Sequence, residues 1–237
     1  MSVQQQKVAV ITGASRGIGT GLVEAYRKLG YAVVATARTI EESGDPGVLA
    51  VAGDIADPAT AERVAAAAVE RFGRIDTLVN NAGVFVAKPF TDYTAEDYAH
   101  IAGVNLTGFF HITQAAVRAM PADSGGHIVT ITTSLVDNAD SRVPSVLASL
   151  TKGGLQSATK SLAIEYASRG IRANAVSPGI IKTPMHDPAT HDFLAGLQPV
   201  GRIGEIADIV DAVLFLETAP FVTGEILHVD GGTSAGH

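Results

Sequence analysis

Short runs of β-branched and other apolar residues alternate along the chain with longer stretches whose apolar positions recur at helical spacing. Val8 to Thr12, Ala32 to Thr36, Val48 to Ala52, Thr77 to Asn80, His127 to Thr132 and Arg172 to Ser177 read as strands, with Ile226 to Val229 as a last one. Most are continuous apolar runs, the pattern of parallel strands covered on both faces. One helix opens at Gly17 and ends near Gly30, where glycine serves as a stop. A second has Asp57 as N-cap and Pro58 in its first turn. A long one runs from about Thr94 to Ala119, and another from roughly Ser145, its expected cap, to Ser168. This strand–helix order predicts an α/β fold: a doubly wound parallel sheet of about seven strands, helices on both faces, with right-handed crossovers. No linker, repeat or shift in composition divides the chain, so residues 1–237 are expected to form one domain. The segment from Ile180 to Val200 is richer in Pro, His and Gly and reads as a flap over a pocket.

Composition narrows the function classes. Of the 237 residues 46% are hydrophobic, and the mean hydropathy is +0.25, ample for a buried core. A net charge of −7 argues against general affinity for nucleic acid or an anionic membrane, while leaving room for a local phosphate pocket. The chain has no cysteine, which removes disulfides, thiolate catalysis and Cys-based zinc sites, and no metal site is expected. The start MSVQQQK has no apolar core of a secretory signal. No stretch approaches the ~18 apolar residues of a membrane span, so a cytoplasmic protein is expected.

The first strand runs directly into TGASRGIG, which carries Gly13, Gly17 and Gly19. Glycine permits close backbone approach, and the amides at the mouth of the next helix are suited to hold a pyrophosphate. A plain glycine turn is the competing reading. Its place after the first strand of a βαβ pattern favours phosphate.

Five segments in order then resemble the short-chain dehydrogenase/reductase family: TGASRGIG, NNAG at Asn80 to Gly83, GVNLTG with Asn105, ITTS ending in Ser134, and SPGIIKTPM from Ser177. The resemblance covers nearly the whole chain. It implies a Rossmann-type fold, a nicotinamide dinucleotide and hydride transfer to or from a small-molecule carbonyl or alcohol. It places Gly13, Ser15, Arg16, Gly17, Ile18 and Gly19 at the diphosphate and Asp54 and Ile55 at the adenine. Asn81, Ala82 and Gly83 fall beside the adenosine ribose, and Lys152, Pro178, Gly179, Ile181 and Thr183 toward the nicotinamide. It also implies a homotetramer through the helices from about Thr94 and Ser145, with the final strand and the LHVDGG segment at another interface and Gly231, Gly232 and His237 near a neighbour's pocket.

The end of the second strand bears on the cofactor. An acid there favours the 2′-hydroxyl of NAD(H) and repels the 2′-phosphate of NADP(H). Here Ala37 stands in that place, Arg38 follows, and Arg16 approaches from the glycine loop. Two guanidinium groups suit a phosphate dianion, so NADP(H) is the preferred cofactor and NAD(H) the lesser one. Glu41 and Glu42 are the rival partners for Arg38.

In the catalytic set the resemblance assigns an orienting role to Ser134, a supporting one to Asn105 and ribose and proton chemistry to Lys152. The tyrosine expected four residues before that lysine is replaced by Ala148, and no tyrosine lies between Ser134 and Lys152. Losing a general acid removes on the order of 10²–10⁴ in rate. Ser145, Ser149, Asp137, Asp140, His186, His191 and Lys152 are the alternative proton sources, and Lys152 acting through a water beside Ala148 needs the fewest changes. Two functions follow: an NADP(H)-dependent oxidoreductase with a non-standard proton donor, or an NADP(H)-binding pseudoenzyme with a sensing or scaffold role.

Overall fold

The computed structural model describes residues 6–236; His237 lies outside them. All seven predicted strands form: β1 (Val8–Thr12), β2 (Ala32–Ala37), β3 (Val48–Ala52), β4 (Thr77–Asn80), β5 (Gly126–Ile131), β6 (Ile171–Pro178) and β7 (Ile226–Val229). They make one parallel sheet in the order β3-β2-β1-β4-β5-β6-β7. The chain builds outward from β1 on one side, then returns to begin again on the other. The switch therefore falls between β1 and β4, with Ile11 beside Val79. A crevice opens where the helices after these two strands diverge.

The unbroken apolar run of β1 reflects burial on both faces. Val8 and Val10 enter one core layer with Val34, Leu78 and Ile128. Ala9 and Ile11 enter the other with Val33, Val79 and Val129. The first layer is covered by α2 (Pro58–Phe72) and α4 (Phe109–Ala119), the second by α1 (Ile18–Lys28) and α7 (Ile206–Thr218). Helix α7 is absent from the sequence reading. Its inward face is signalled weakly, because apolar residues surround it almost completely; its start carries a reciprocal bond set between Glu205 and Asp208.

The predicted Thr94–Ala119 helix is helical throughout but not uniformly wound. Thr94 caps α3 (Ala95–Ala102) in a capping box with Asp97, and a wider π-type segment, Gly103–Gly108, joins α3 to α4. Helix α5 (Val146–Glu165) stops short of Ser168, because a 3₁₀ turn at Ala167–Arg169 closes on left-handed Gly170. Ser145 occupies the cap position, yet its side chain makes no capping hydrogen bond, so that expectation is corrected.

At the amino ends of the strands, away from the crevice, a buried acid organises the core. Glu217 accepts hydrogen bonds from Tyr26 (3.0 Å), Tyr31 (2.9 Å), Thr77 (3.1 Å) and His127 Nδ1 (2.9 Å). Asn174 Oδ1 accepts from the Glu225 amide, so its Nδ2 is the atom that faces His127 Nε2 at 3.1 Å. His127 is then neutral with its proton on Nδ1. Burial pulls its pKa below the ordinary value. Burial works to raise the Glu217 pKa, but the His127 and tyrosine donors outweigh it and hold the carboxylate ionised.

Candidate active site

The crevice is built first by backbone. Gly17, at φ 58°, precedes α1, which starts with no side-chain cap and no acid in its first turn, leaving its first amides open. Helix α1 then packs tightly on the turn. A Cβ on Gly19 would collide with the Gly13 carbonyl oxygen and lie 2.8 Å from Asn81 Nδ2. Asn81 Nδ2 donates to the Thr12 (2.9 Å) and Gly13 (3.1 Å) carbonyls, and Thr12 Oγ1 accepts from the Asn81 and Ala82 amides. The glycine turn is thus tied to the turn after β4. Asn80 is spent on Thr113 of α4 at 3.0 Å.

A cavity of about 730 Å³ extends from this turn along the carboxyl ends of the strands. Gly13, Ser15, Arg16, Gly17 and Ile18 line it, together with Arg38, Asp54, Ile55, Asn81, Ala82 and Gly83. Ser134, Lys152, Pro178, Gly179, Ile181 and Thr183 line its other reaches. Two residues of the predicted set do not reach the wall. Gly19 lies behind it, in the contact just described, and Asn105 is buried behind Gly83 and Val84. Asn105 sits in the π-type segment, where its Oδ1 accepts from the Val84 amide (3.0 Å) and its Nδ2 donates to the Val84 carbonyl and Thr151 Oγ1 (both 3.1 Å). It ties α3, the loop after β4 and α5 together.

Arg16 and Arg38 form no ion pair with any described acid, so neither Glu41 nor Glu42 holds Arg38. Beside them on the cavity wall, the Thr36 hydroxyl is buried without a hydrogen-bond partner. Asp54 faces the cavity while its carboxylate accepts from the Ala56 amide, the turn role that competed with an adenine contact.

At the other end Thr133 caps a 3₁₀ turn that sets Ser134 at the mouth of β5. The Ser134 hydroxyl makes no hydrogen bond to another described residue. Lys152 Nζ donates to the Ile131 carbonyl at 2.7 Å and would lie 2.9 Å from a Cβ on Gly83. No described acid pairs with it, and burial lowers its pKa to about 8. Ala148, one turn earlier on α5, lines the same cavity and is 4% exposed.

The structure sorts the alternative proton sources. Ser149 Oγ is committed to the Leu135 carbonyl (3.0 Å), and Asp137 to Gln156 and His228 (both 3.1 Å); neither lines the cavity. Ser145 and His191 also stand off it. Asp140 and His186 do line it, Asp140 in a bidentate pair with Arg142 and His186 with Nδ1 against the Ile181 carbonyl (2.9 Å). The 180–200 segment is a folded excursion, pinned at its neck where Lys182 and Gly204 bridge across to Gly204 and Ile180 at 2.8 Å. Phe85, Val143, Leu197, Gln198 and Thr233 are among the further wall residues and were not predicted. They come from four separate segments with no local motif, so only the fold brings them together.

A doubly wound sheet with an open glycine turn at its switch point defines a dinucleotide-binding α/β protein. The description enoyl-(acyl carrier protein) reductase matches residues 13–234. The chain belongs to the short-chain dehydrogenase/reductase family of oxidoreductases. It is 36% identical over 239 residues to the 3-oxoacyl-(acyl-carrier-protein) reductase FabG of Escherichia coli (strain K12), covering 95% of this chain and 96% of that one. The 3-ketoacyl-(acyl-carrier-protein) reductase from Brucella melitensis, complexed with NADH, superimposes with a TM-score of 0.88 at 33% identity, covering 96% of this chain and 98% of its own. A blue fluorescent protein from a metagenomic library, in complex with NADPH, gives a TM-score of 0.86 at 34% identity, with 96% and 97% covered. Among the described residues no helix is long and apolar enough to cross a membrane.

Proposed function

We propose that this chain is an NADP(H)-dependent oxidoreductase acting on a carbonyl or alcohol, with Lys152 as the source of the proton. The observation that carries the cofactor reading is the pair Arg16 and Arg38, both on the cavity wall and both without an acid partner, beside Ala37 where an acid would repel a phosphate. The capless start of α1 and the Gly19 contact fit a diphosphate approaching the backbone. When bound, the reduced nicotinamide supplies a hydride to the carbonyl carbon.

The chain's own residues do the rest. Ser134 offers its uncommitted hydroxyl to the carbonyl oxygen as charge builds there. Ala148 has no proton to give. Lys152, with a pKa near 8, is mostly ammonium at neutral pH yet acidic enough to pass a proton through a water against the Ala148 methyl to the carbonyl oxygen, which becomes the alcohol, leaving the neutral amine. Asn105 and Gly83 fix the backbone against which Nζ rests. The exposed apolar side chains Phe110, Leu150 and Ile164 on α4 and α5 support assembly into a homotetramer.

The test is to titrate NADPH and NADH by calorimetry, then follow NADPH absorbance against ketones, aldehydes and quinones. The expected results are tighter NADPH than NADH binding, turnover lost in Ser134→Ala and Lys152→Ala, and a reductive rate that falls as pH rises through about 8. Tight NADPH binding with no turnover on any compound would instead establish the pseudoenzyme. No binding of either nucleotide would end both readings.

A further inference from the structure

The ionisable groups on the cavity wall divide into two sets. Arg16, Arg38 and Asp54 stand toward β2 and β3, while Asp140, Lys152 and His186 stand toward α5 and the 180–200 excursion. In the second set Asp140 is closed by Arg142, and His186 leans on the Ile181 carbonyl. Lys152 differs. Its hydrogen bond to the Ile131 carbonyl uses one ammonium proton, and no described acid balances its charge. The Ser134 hydroxyl, 3% exposed, also has no described hydrogen-bond partner. Ala148 and Lys152 are four residues apart on one face of α5, so the methyl adjoins the lysine stem on the wall. Leu135, Val143 and Phe85 are apolar residues of this wall; of its polar ones, Asn138 Nδ2 donates to the Thr233 carbonyl and Thr133 Oγ1 accepts from the Leu135 amide.

A buried cation without a counter-charge is costly, and its chemical complement is an oxyanion. The surroundings select among oxyanions. Leu135, Val143 and Ala148 offer no side-chain donor to a second oxygen, but they do suit the face of an apolar ring. We propose that Ala148 and Lys152 form a subsite for an aryl hydroxyl, the ring lying against the Ala148 methyl and the oxygen accepting a hydrogen bond from Lys152 Nζ, while the single Ser134 hydroxyl proton stays with the carbonyl oxygen. In the reaction proposed above, on which this choice of substrate class rests, the substrate is an aryl carbonyl compound carrying a phenol. The phenol occupies the place that water takes with a simpler ketone. Lys152 stabilises the ionised form, so the bound phenol is more acidic than the free one.

The probe is p-nitrophenol, whose phenolate absorbs in the visible, titrated into the protein with and without NADPH. The expected result is saturable binding with a shift of absorbance toward the phenolate. Nitrobenzene, of similar shape but with no ionisable oxygen, binds about tenfold or more weakly, the loss expected for a hydrogen bond to a charged group. Lys152→Met abolishes the shift. Ala148→Phe fills the space and weakens p-nitrophenol about tenfold or more, with circular dichroism confirming its fold. Should that variant not fold, the comparison of the two probes on the unaltered protein still decides. An unshifted spectrum, equal affinity for nitrobenzene, or undiminished binding by folded Ala148→Phe overturns the subsite. Parallel NADPH titration separates the two ideas. NADPH binding without the phenol response sinks the subsite alone, while a phenol response without NADPH binding sinks the oxidoreductase reading.

Discussion

Replacing Lys152 with methionine should make the protein more stable while removing its proposed chemistry. The lysine is 9% exposed, and burial alone moves its pKa from 10.5 to about 8. At 1.36 kcal/mol per unit, that drop corresponds to about 3 kcal/mol by which the folded state is penalised for holding the ammonium. Methionine retains much of the apolar stem but leaves the Ile131 carbonyl without its partner, a loss of about 1 kcal/mol. The net gain is about 2 kcal/mol at pH 7. Its pH dependence is the sharper signature. Below about pH 8 both folded and unfolded lysine are protonated, and the penalty is complete. Between about 8 and 10.5 the unfolded chain keeps the proton that the folded chain releases, so the parent gains stability as pH rises. The advantage of Lys152→Met should therefore be full at pH 7 and vanish by pH 10.5. Urea melts of both proteins at matched concentration measure this directly. A variant less stable than its parent at pH 7, or a stability gap that stays constant across that window, would refute the reasoning.

Three further outcomes test other parts of the structure. Glu217→Ala strands four buried donors and should cost about 3–5 kcal/mol, read from chemical denaturation. The parent should lose stability as pH falls below about 6.5, where unfolded His127 takes up a proton that the folded residue refuses, and again below about 4.5, where unfolded Glu217 protonates but folded Glu217 does not; a stability flat from pH 7 to 4 would contradict the network. Gly19→Ala should cost about 1–3 kcal/mol through overpacking against Gly13 and abolish measurable NADPH binding in calorimetry, whereas unchanged affinity would show that the turn does not hold the diphosphate.

The strands and their parallel, doubly covered character were legible in the chain because burial on both faces of a parallel sheet writes itself locally, as in Val8–Ile11, whose side chains alternate between two cores, whereas their order in the sheet was not. The glycine turn was legible for a similar reason: Gly17 and Gly19 answer to backbone geometry within a few residues. Helix α7 escaped because its apolar residues leave no clear polar face to set a period. The site divided along the same line. Ser134, Ala148 and Lys152 stand in recognisable segments, but only packing could show that Lys152 is buried without a counter-ion, that Asn105 is tied to Val84 and Thr151, and that Ser149 and Asp137 are already committed. Gln198, Thr233 and Phe85 reach the cavity from remote loops. Local patterns record what each residue needs from its immediate neighbours, whereas a charge or a hydroxyl acquires its chemistry from groups far away in the chain, and those are brought near only by the folded sheet.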